Sequence, residues 1–177
     1  MAIQGDQAMA RSYQYCGPIE LSHMPDPLPS RSQICQRADA EAWIAAQRLG
    51  SAKHQQLTAT FIIDQALQLW LADQRSEHVV CARGAAVLAA GEISFELEAN
   101  RLSRCELTNQ STGYCPEPAS WAVVQQVLDS IGLSHDGAWA TSYEFRCCPA
   151  CTMLNLIKEG WFFCAVCEHE LPRQWNC

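Results

Sequence analysis

Lysine is almost absent from this sequence. Lys53 and Lys158 are its only lysines, and 19 acidic residues outnumber 12 basic ones, which gives a formal charge of −7. Nucleic-acid phosphates are bound by clustered lysine and arginine side chains. We therefore expect that nucleic acid is not a partner of this protein.

Long apolar runs are also missing. No segment approaches the roughly 18–20 continuous apolar residues of a membrane helix, and residues 1–11 lack the basic and then apolar pattern of a secretion signal. We expect a cytoplasmic protein with no membrane partner. Apolar residues make up 49% and charged residues 18% of the chain, as in an ordinary globular protein.

The pattern along the chain predicts three parts. Residues 1–38 have no sustained period and include a proline-rich stretch at 24–29, which predicts an extended, partly ordered arm. Residues 39–145 alternate between helical and strand patterns, which predicts an α+β core domain. Residues 146–177 carry paired cysteines typical of a zinc ribbon.

Helical periodicity appears in three places. A first helix is predicted from Asp39 to a stop at Gly50, and a third between Pro118 and Gly132. Between them, a longer core helix is predicted over 56–74, because apolar residues recur there at three- and four-residue spacing. Those residues are Phe61, Ile63, Ala66, Leu67, Trp70 and Leu71.

Strand patterns fill the rest of the core. Strands are predicted over 78–83, 86–90 and 92–98, and a turn at 98–101 leads to a partner strand over 102–108. A further strand is predicted over 139–145. The predicted fold is therefore α+β, with N-terminal helices packed on a mainly antiparallel β-sheet and a C-terminal zinc-ribbon module of rubredoxin-like knuckles.

Four of the eleven cysteines form two Cys-x-x-Cys pairs. The two-residue gap lets both sulfurs of a pair reach one ion, and a β-hairpin of 153–157 with 161–163, turning at 158–160, would bring the pairs together. We predict one Zn²⁺ held by Cys148, Cys151, Cys164 and Cys167. Four protein ligands leave no open position, so the metal is expected to be structural.

Alternatives to zinc remain open at this stage. Two redox dithiols would have the same spacing, and iron suits four thiolates as well. In rubredoxins a glycine usually follows the second cysteine of each pair, whereas Thr152 and Glu168 stand there in this chain, which favours zinc. Cys147 is expected to be a bystander and Cys177 to be free. The pattern predicts no role for Cys16, Cys35, Cys81 and Cys105.

The ribbon is rich in aromatic residues, namely Trp161, Phe162, Phe163 and Trp175. A module of this size cannot bury all four by itself. They either pack on the core domain or form a docking surface for a protein partner.

A polar loop over 108–116 stands between a predicted strand and a helix. Serine, threonine and asparagine there are typical of turns and caps, but they could also bind an anion or a substrate oxygen at the helix N-terminus. The candidate site residues are Ser111, Thr112, Tyr114 and Cys115, together with His78 and Arg83. Cys115 would be an activated thiol if it lay beside a base such as His78 or His135, and otherwise an ordinary buried cysteine.

Two resemblances can be stated on these motifs. Residues 145–167, with Glu170-Leu171-Pro172 and Trp175-Asn176, resemble the zinc-ribbon tail of a group of bacterial proteins without a known activity, whose Asn-Gln-Ser-Thr-Gly-Tyr-Cys-Pro-Glu-Pro loop is similar to residues 109–118. The resemblance covers about residues 78–177. Ala90-Gly91-Glu92, the hairpin and residues 109–114 also resemble a pattern of bacterial effector and toxin-associated domains, although Thr112-Gly113 stands where that pattern has Gly-His.

Two functions follow as hypotheses. The first is a small cytoplasmic zinc protein that acts as a protein-interaction or regulatory module. The alternative is a group-transfer or hydrolytic enzyme with its site at the loop 109–116. The two differ in whether the loop side chains converge in a pocket.

Overall fold

The computed structural model describes residues 10–48 and 56–177. A five-stranded antiparallel sheet forms its centre, with strand order β1-β3-β2-β4-β5. The strands are β1 (Ser32–Ile34), β2 (Gln56–Asp64), β3 (Leu69–Asp73), β4 (Val87–Glu98) and β5 (Arg101–Thr108). The helices are α1 (Arg37–Arg48), α2 (His78–Cys81) and α3 (Trp121–Ile131), and a separate hairpin pairs β6 (Phe145–Cys147) with β7 (Leu154–Leu156). The predicted α+β class with an antiparallel sheet is confirmed.

The predicted long helix over 56–74 is wrong, because these residues form the hairpin of β2 and β3. Four of the six residues from Thr58 to Ile63 are β-branched, which favours a strand over a helix. Asp64 makes the turn: its Oδ1 accepts hydrogen bonds from the N–H groups of Ala66 at 2.9 Å and Gln68 at 3.0 Å. Of the predicted N-terminal helices, α1 is thus the one found in the described residues. Its predicted stop at Gly50 lies outside them.

The hairpin of β4 and β5 is confirmed. β4 is one continuous strand, and Ala99 and Asn100 make the turn with positive φ angles of 48° and 66°, as a two-residue hairpin turn requires. Gly91 is needed in β4 because a Cβ at this position would overlap the carbonyl oxygen of Thr108. The sequence 78–83, predicted to be a strand, instead contains the short helix α2.

One face of the sheet carries the larger core. Trp43 of α1 and Val124 and Leu128 of α3 pack there against sheet residues such as Phe61 and Phe95. The predicted helix between Pro118 and Gly132 is confirmed, and it ends at Gly132 in the left-handed conformation with φ 74°. Helices α1 and α3 therefore cover the same face.

The opposite face is covered by α2, the N-terminal segment and the polar loop. Tyr13, Val79 and Tyr114 pack there with Ile62 and Val87. Tyr13 also pairs with Val87 through two backbone hydrogen bonds of 2.8 and 3.0 Å. Within the predicted arm 1–38, β1 is thus a strand of the sheet, and the segment at Tyr13 lies against it.

Residues 139–145 do not form the predicted strand. Thr141 makes an isolated bridge to Thr108, and regular pairing begins at Phe145. Trp139 turns towards α3 and donates its Nε1–H to the carbonyl of Pro118 at 2.9 Å. In the described residues, no helix has the length and apolar character to cross a membrane.

Candidate metal centre

The four predicted ligands lie together. The sulfurs of Cys148, Cys151, Cys164 and Cys167 are all within 4.8 Å of one another. Across the two pairs, Cys148 and Cys167 are 3.5 Å apart and Cys151 and Cys164 are 3.6 Å apart. Sulfurs about 2.3 Å from a tetrahedral ion stand about 3.8 Å from each other, so the cluster has the size of a four-thiolate site and could hold a metal ion.

The first pair is presented by a tight turn. The hairpin of β6 and β7 brackets it, with the Cys148 N–H bonded to the carbonyl of Met153 at 2.9 Å. Thr152 closes the turn by donating to the carbonyl of Cys148 at 2.8 Å, and it has a φ of 60°. Both sulfurs of the pair therefore face the same point.

The second pair repeats this geometry. The Cys164 N–H bonds to the carbonyl of His169 at 2.8 Å, and Glu168 donates back to the carbonyl of Cys164 at 2.9 Å with a φ of 59°. Thr152 and Glu168 thus take the left-handed conformation at equivalent places. Glycine adopts this conformation at the least cost, but both turns form here without it.

The predicted hairpin is wrong, because 153–157 does not pair with 161–163. Leu154–Leu156 pairs with Phe145–Cys147 instead, and Phe163 pairs with Glu170. Each hairpin therefore encloses one cysteine pair, whereas the prediction placed a single hairpin between the pairs. The predicted turn at 158–160 is confirmed, with the Trp161 N–H bonded to the carbonyl of Lys158 at 2.9 Å.

The surroundings of Cys164 favour its thiolate form. Backbone N–H groups of Cys167 and Val166 lower the pKa of Cys164 to about 6. Asn155 supports this arrangement, since its Nδ2 lies 3.6 Å from the Cys164 sulfur and its Oδ1 accepts the Ala165 N–H at 2.9 Å. A sulfur held as an anion by such donors is a ready ligand for a cation. Asn155 has no spacing signal in the sequence and was not predicted.

The aromatic residues of the ribbon divide into two groups. Phe162 is buried in the small ribbon core with Ile157 and Leu171. Trp175 is half-buried: its ring meets Tyr13 edge-on at 5.4 Å, and its Nε1–H donates to the carbonyl of Cys115 at 2.7 Å. Phe162 is therefore buried, and Trp175 is partly covered by Tyr13.

Trp161 and Phe163 remain on the surface. Trp161 is 68% and Phe163 40% exposed, and their ring centroids are 4.9 Å apart. Three more exposed apolar side chains of the ribbon are Met153, Leu156 and Val166. Five of the nine large apolar side chains exposed in the described residues therefore belong to 153–166.

Two side chains of the polar loop are buried and bond to backbone carbonyls. Asn109 is fully buried and donates to the carbonyls of Pro116 at 2.8 Å and Tyr143 at 2.7 Å. Tyr114 is also buried, and its hydroxyl donates to the carbonyl of Ala85 at 2.8 Å. Burial raises the pKa of Tyr114.

The other loop candidates do not converge. Thr112 is exposed, whereas Ser111 is 1% exposed and its Oγ has no hydrogen-bond partner among the described residues. Cys115 is buried, and its Sγ lies 3.4 Å from the carbonyl oxygen of Thr112 and 3.7 Å from the Cys16 sulfur. Contacts with Cys16 and Cys177 raise the pKa of Cys115. Neither His78 nor His135, the bases predicted to lie beside it, is among the hydrogen-bond partners of Cys115 in the described residues.

His78 and Arg83 also bond to backbone. His78 Nε2 lies 2.9 Å from the carbonyl oxygen of Gly91, and burial lowers the pKa of His78. Arg83 has a positive φ of 57° and donates to the carbonyl of Pro29 at 2.6 Å. These groups share the α2 side of the sheet with Tyr114, but their polar atoms point to different partners.

Two surface depressions lie elsewhere, beside α1. One, of about 180 Å³, is lined by residues of α1 and the β4–β5 turn; the other, of about 270 Å³, lies between Trp43 and the β2–β3 hairpin. No loop residue lines either of them.

No protein family, curated protein or solved structure matches this chain. The resemblance to bacterial zinc-ribbon and effector-associated proteins stays a prediction.

Sequence reasoning also missed a second group of cysteines. Cys16, Cys115, Cys147 and Cys177 meet between the N-terminal segment, the loop and the ribbon. Their spacing in sequence carries no motif, since each comes from a different segment.

Proposed function

We propose that this chain is a zinc protein in which one structural Zn²⁺ is held by Cys148, Cys151, Cys164 and Cys167, and in which the ribbon serves as a docking module for a protein partner. The observation that carries the proposal is the approach of four sulfurs to within 4.8 Å of one another. Four thiolates also suit iron; we propose zinc because a site with four protein ligands and no open position is typical of structural zinc.

The metal stabilises a module that has little core of its own. The ribbon core consists of Ile157, Phe162 and Leu171 beside the cysteines. A cluster of this size cannot order thirty residues by hydrophobic burial alone. Zinc binding supplies the missing free energy, as in other small metal-dependent modules.

The docking surface is centred on Trp161 and Phe163. Large aromatic side chains dominate the binding energy of protein interfaces, and an exposed group of them is uncommon on a monomer. The ribbon holds this pair on a rigid frame on both sides of buried Phe162. We propose a partner with an apolar pocket that buries these two rings. Lys158 and Glu159 beside the pair carry opposite charges, so the surface around the rings has no single charge sign.

The enzyme alternative has less support. Asn109, Tyr114, His78 and Arg83 each bond to backbone carbonyls, and the two surface depressions lie beside α1. A catalytic site would need several of these polar atoms directed at one point.

A comparison of co-purified proteins tests the docking surface. The bait is the full chain, the test variant carries Trp161→Ser and Phe163→Ser, and the matched control carries Ile19→Ser and Leu28→Ser, which are 73% and 48% exposed. We expect a partner that binds the wild type and the control but not the ribbon variant, with unchanged zinc content in all three. Equal recovery of every partner by the ribbon variant would contradict this role for the surface.

A further inference from the structure

Four cysteines outside the ribbon's metal cluster come together from four distant parts of the chain. Cys16 lies in the N-terminal segment and Cys115 near the end of the polar loop. Cys147 lies in β6, and Cys177 follows Trp175 and Asn176. The sulfurs of Cys16 and Cys115 are 3.7 Å apart, and those of Cys147 and Cys177 are 2.8 Å apart. The Cys115 side chain is also a neighbour of Cys177, which links the two pairs.

The backbone holds the first pair in place. The Cys16 N–H donates to the carbonyl of Gly113 at 2.8 Å, which fixes the N-terminal segment to the polar loop. The carbonyl of Cys115 accepts the Nε1–H of Trp175 at 2.7 Å, which fixes the loop to the last residues. The approach of the sulfurs is therefore built into the fold.

The second pair is held by a side-chain amide. Asn176 accepts the N–H of Cys147 through its Oδ1 at 3.0 Å and donates to the carbonyl of Cys147 through its Nδ2 at 2.6 Å. This double contact places the next residue, Cys177, against Cys147. Cys177 is only partly buried, so its side chain has room to adjust.

We propose that Cys16, Cys115, Cys147 and Cys177 form a second site for a soft divalent cation, with zinc as the ion. Four thiols gathered from four segments match the donor set of a closed zinc site. The 3.7 Å between Cys16 and Cys115 is close to the sulfur separation of about 3.8 Å in a tetrahedral zinc site.

Metal binding would complete an arrangement that is still open. The four side chains form a row of contacts, Cys16 to Cys115 to Cys177 to Cys147, whereas the sulfurs of the first cluster are all mutually close. To bind an ion, Cys147 and Cys177 must separate by about 1 Å, from 2.8 Å to the tetrahedral spacing. The sulfurs at the two ends of the row must also move closer together, because no three of the four lie within 4.8 Å of one another. The site would then join the N-terminal segment, the loop and the ribbon through one ion.

Metal counting by native mass spectrometry of the reduced, full-length wild type is the first test, and it needs no variant. We expect two zinc ions per chain. One zinc per chain in the reduced protein would overturn the second site.

Paired variants then assign the ions. Cys16→Ser with Cys177→Ser is expected to remove one zinc of two and to leave the other, and Cys35→Ser, at an exposed cysteine outside both groups, is the control. Binding of Co²⁺ to the metal-free protein gives a second readout, because thiolate-to-cobalt absorption should fall by about half in the double variant. An unchanged zinc count in that variant would contradict the proposal.

The two proposals fail in different ways. If the wild type holds a single zinc that is lost with Cys148→Ser and Cys164→Ser, the second site is wrong and the ribbon site stands. If the single zinc is lost with Cys16→Ser and Cys177→Ser, the ribbon site is wrong instead.

Discussion

Asn109 pairs with the backbone of Tyr143 as a neighbouring strand would. Its Nδ2 donates to the Tyr143 carbonyl at 2.7 Å, and its Oδ1 accepts the Tyr143 N–H at 2.7 Å. The same amide donates to the carbonyl of Pro116 at 2.8 Å. One fully buried side chain thus joins the polar loop to the segment that enters the ribbon.

Replacing Asn109 by Asp should destabilise the protein strongly. The carboxylate has no N–H to give, so the carbonyls of Pro116 and Tyr143 lose their donor and a charge is buried beside them. We expect a loss of about 2 to 4 kcal/mol in the free energy of unfolding, measured by urea denaturation. The exposed neighbour provides the control, since Gln110→Glu should cost within about 0.5 kcal/mol. Equal effects of the two changes would show that the hydrogen bonds of Asn109 do not contribute this free energy of unfolding.

Replacing Gly91 by Ala tests the close packing of β4 on the last residue of β5. The new Cβ would overlap the carbonyl oxygen of Thr108, which the sheet holds in position. We expect a cost at or above the upper end of the about 1 to 3 kcal/mol typical of overpacking, measured by thermal unfolding. Gly137→Ala is the matched control: it meets open space at a φ of 78°, so only the backbone cost of about 1 to 2 kcal/mol is expected. A smaller effect at Gly91 than at Gly137 would refute the packing.

Removing the guanidinium of Arg146 should loosen the ribbon from its flanking chain. Arg146 is 2% exposed and donates to Glu144 at 2.6 Å and to the carbonyls of Pro172 and Arg173 at 3.1 and 2.8 Å. For Arg146→Met we expect a loss of about 2 to 4 kcal/mol in urea denaturation, because these carbonyls and a carboxylate lose their donors.

Arg75 is the control for Arg146. Its pair with Asp73 is exposed to solvent, so Arg75→Met should change stability by less than about 1 kcal/mol. Similar losses for the two substitutions would mean that the burial of Arg146 contributes nothing to stability.

His78 should make the protein more sensitive to acid. Burial lowers the pKa of His78 below its ordinary value of 6.5, so the unfolded chain takes up its proton at a higher pH than the folded one. The stability that depends on neutral His78 is therefore present above about pH 6.5 and is lost as pH falls towards the lower, folded-state pKa.

The variant His78→Gln separates this effect from other acid effects. Glutamine keeps an N–H for the carbonyl of Gly91 but does not titrate. We expect the stability difference between wild type and variant to move in favour of the variant as pH is lowered from 7.5 to 5.5 in urea titrations. His23→Gln controls for the loss of one imidazole at an exposed place. A difference that stays constant with pH would contradict the burial of a neutral imidazole.

Local patterns predicted part of this molecule well. The β4–β5 hairpin, α3 with its glycine stop and the four ribbon cysteines each depend on residues close in sequence, so their spacing was sufficient. The segment 56–74 was misassigned because its apolar residues fit both periods, and its turn at Asp64 contains neither glycine nor proline. There, pairing of Ile62 and Phe61 with β3 and β4 decided the structure, and such long-range contacts leave no local signal.

The same reason explains what was missed at the candidate sites. Each Cys-x-x-Cys pair can be recognised from its two-residue spacing in the sequence. In contrast, Cys16, Cys115, Cys147 and Cys177 become neighbours only when the chain is folded. Asn155 likewise reaches Cys164 through the pairing of β6 with β7 and the turn that follows. The loop residues could not be assigned from composition, because serine, threonine and asparagine serve turns and binding sites alike.

The most direct test of the ribbon is its zinc content. Elemental analysis would compare the purified wild type with a Cys148→Ala and Cys164→Ala variant, and Cys35→Ala would serve as the control. We predict that the double variant contains one equivalent of zinc fewer than the wild type and unfolds at a lower temperature, and that the control changes neither quantity. An unchanged zinc content in the double variant, or iron in place of zinc in the wild type, would contradict the structural zinc ribbon.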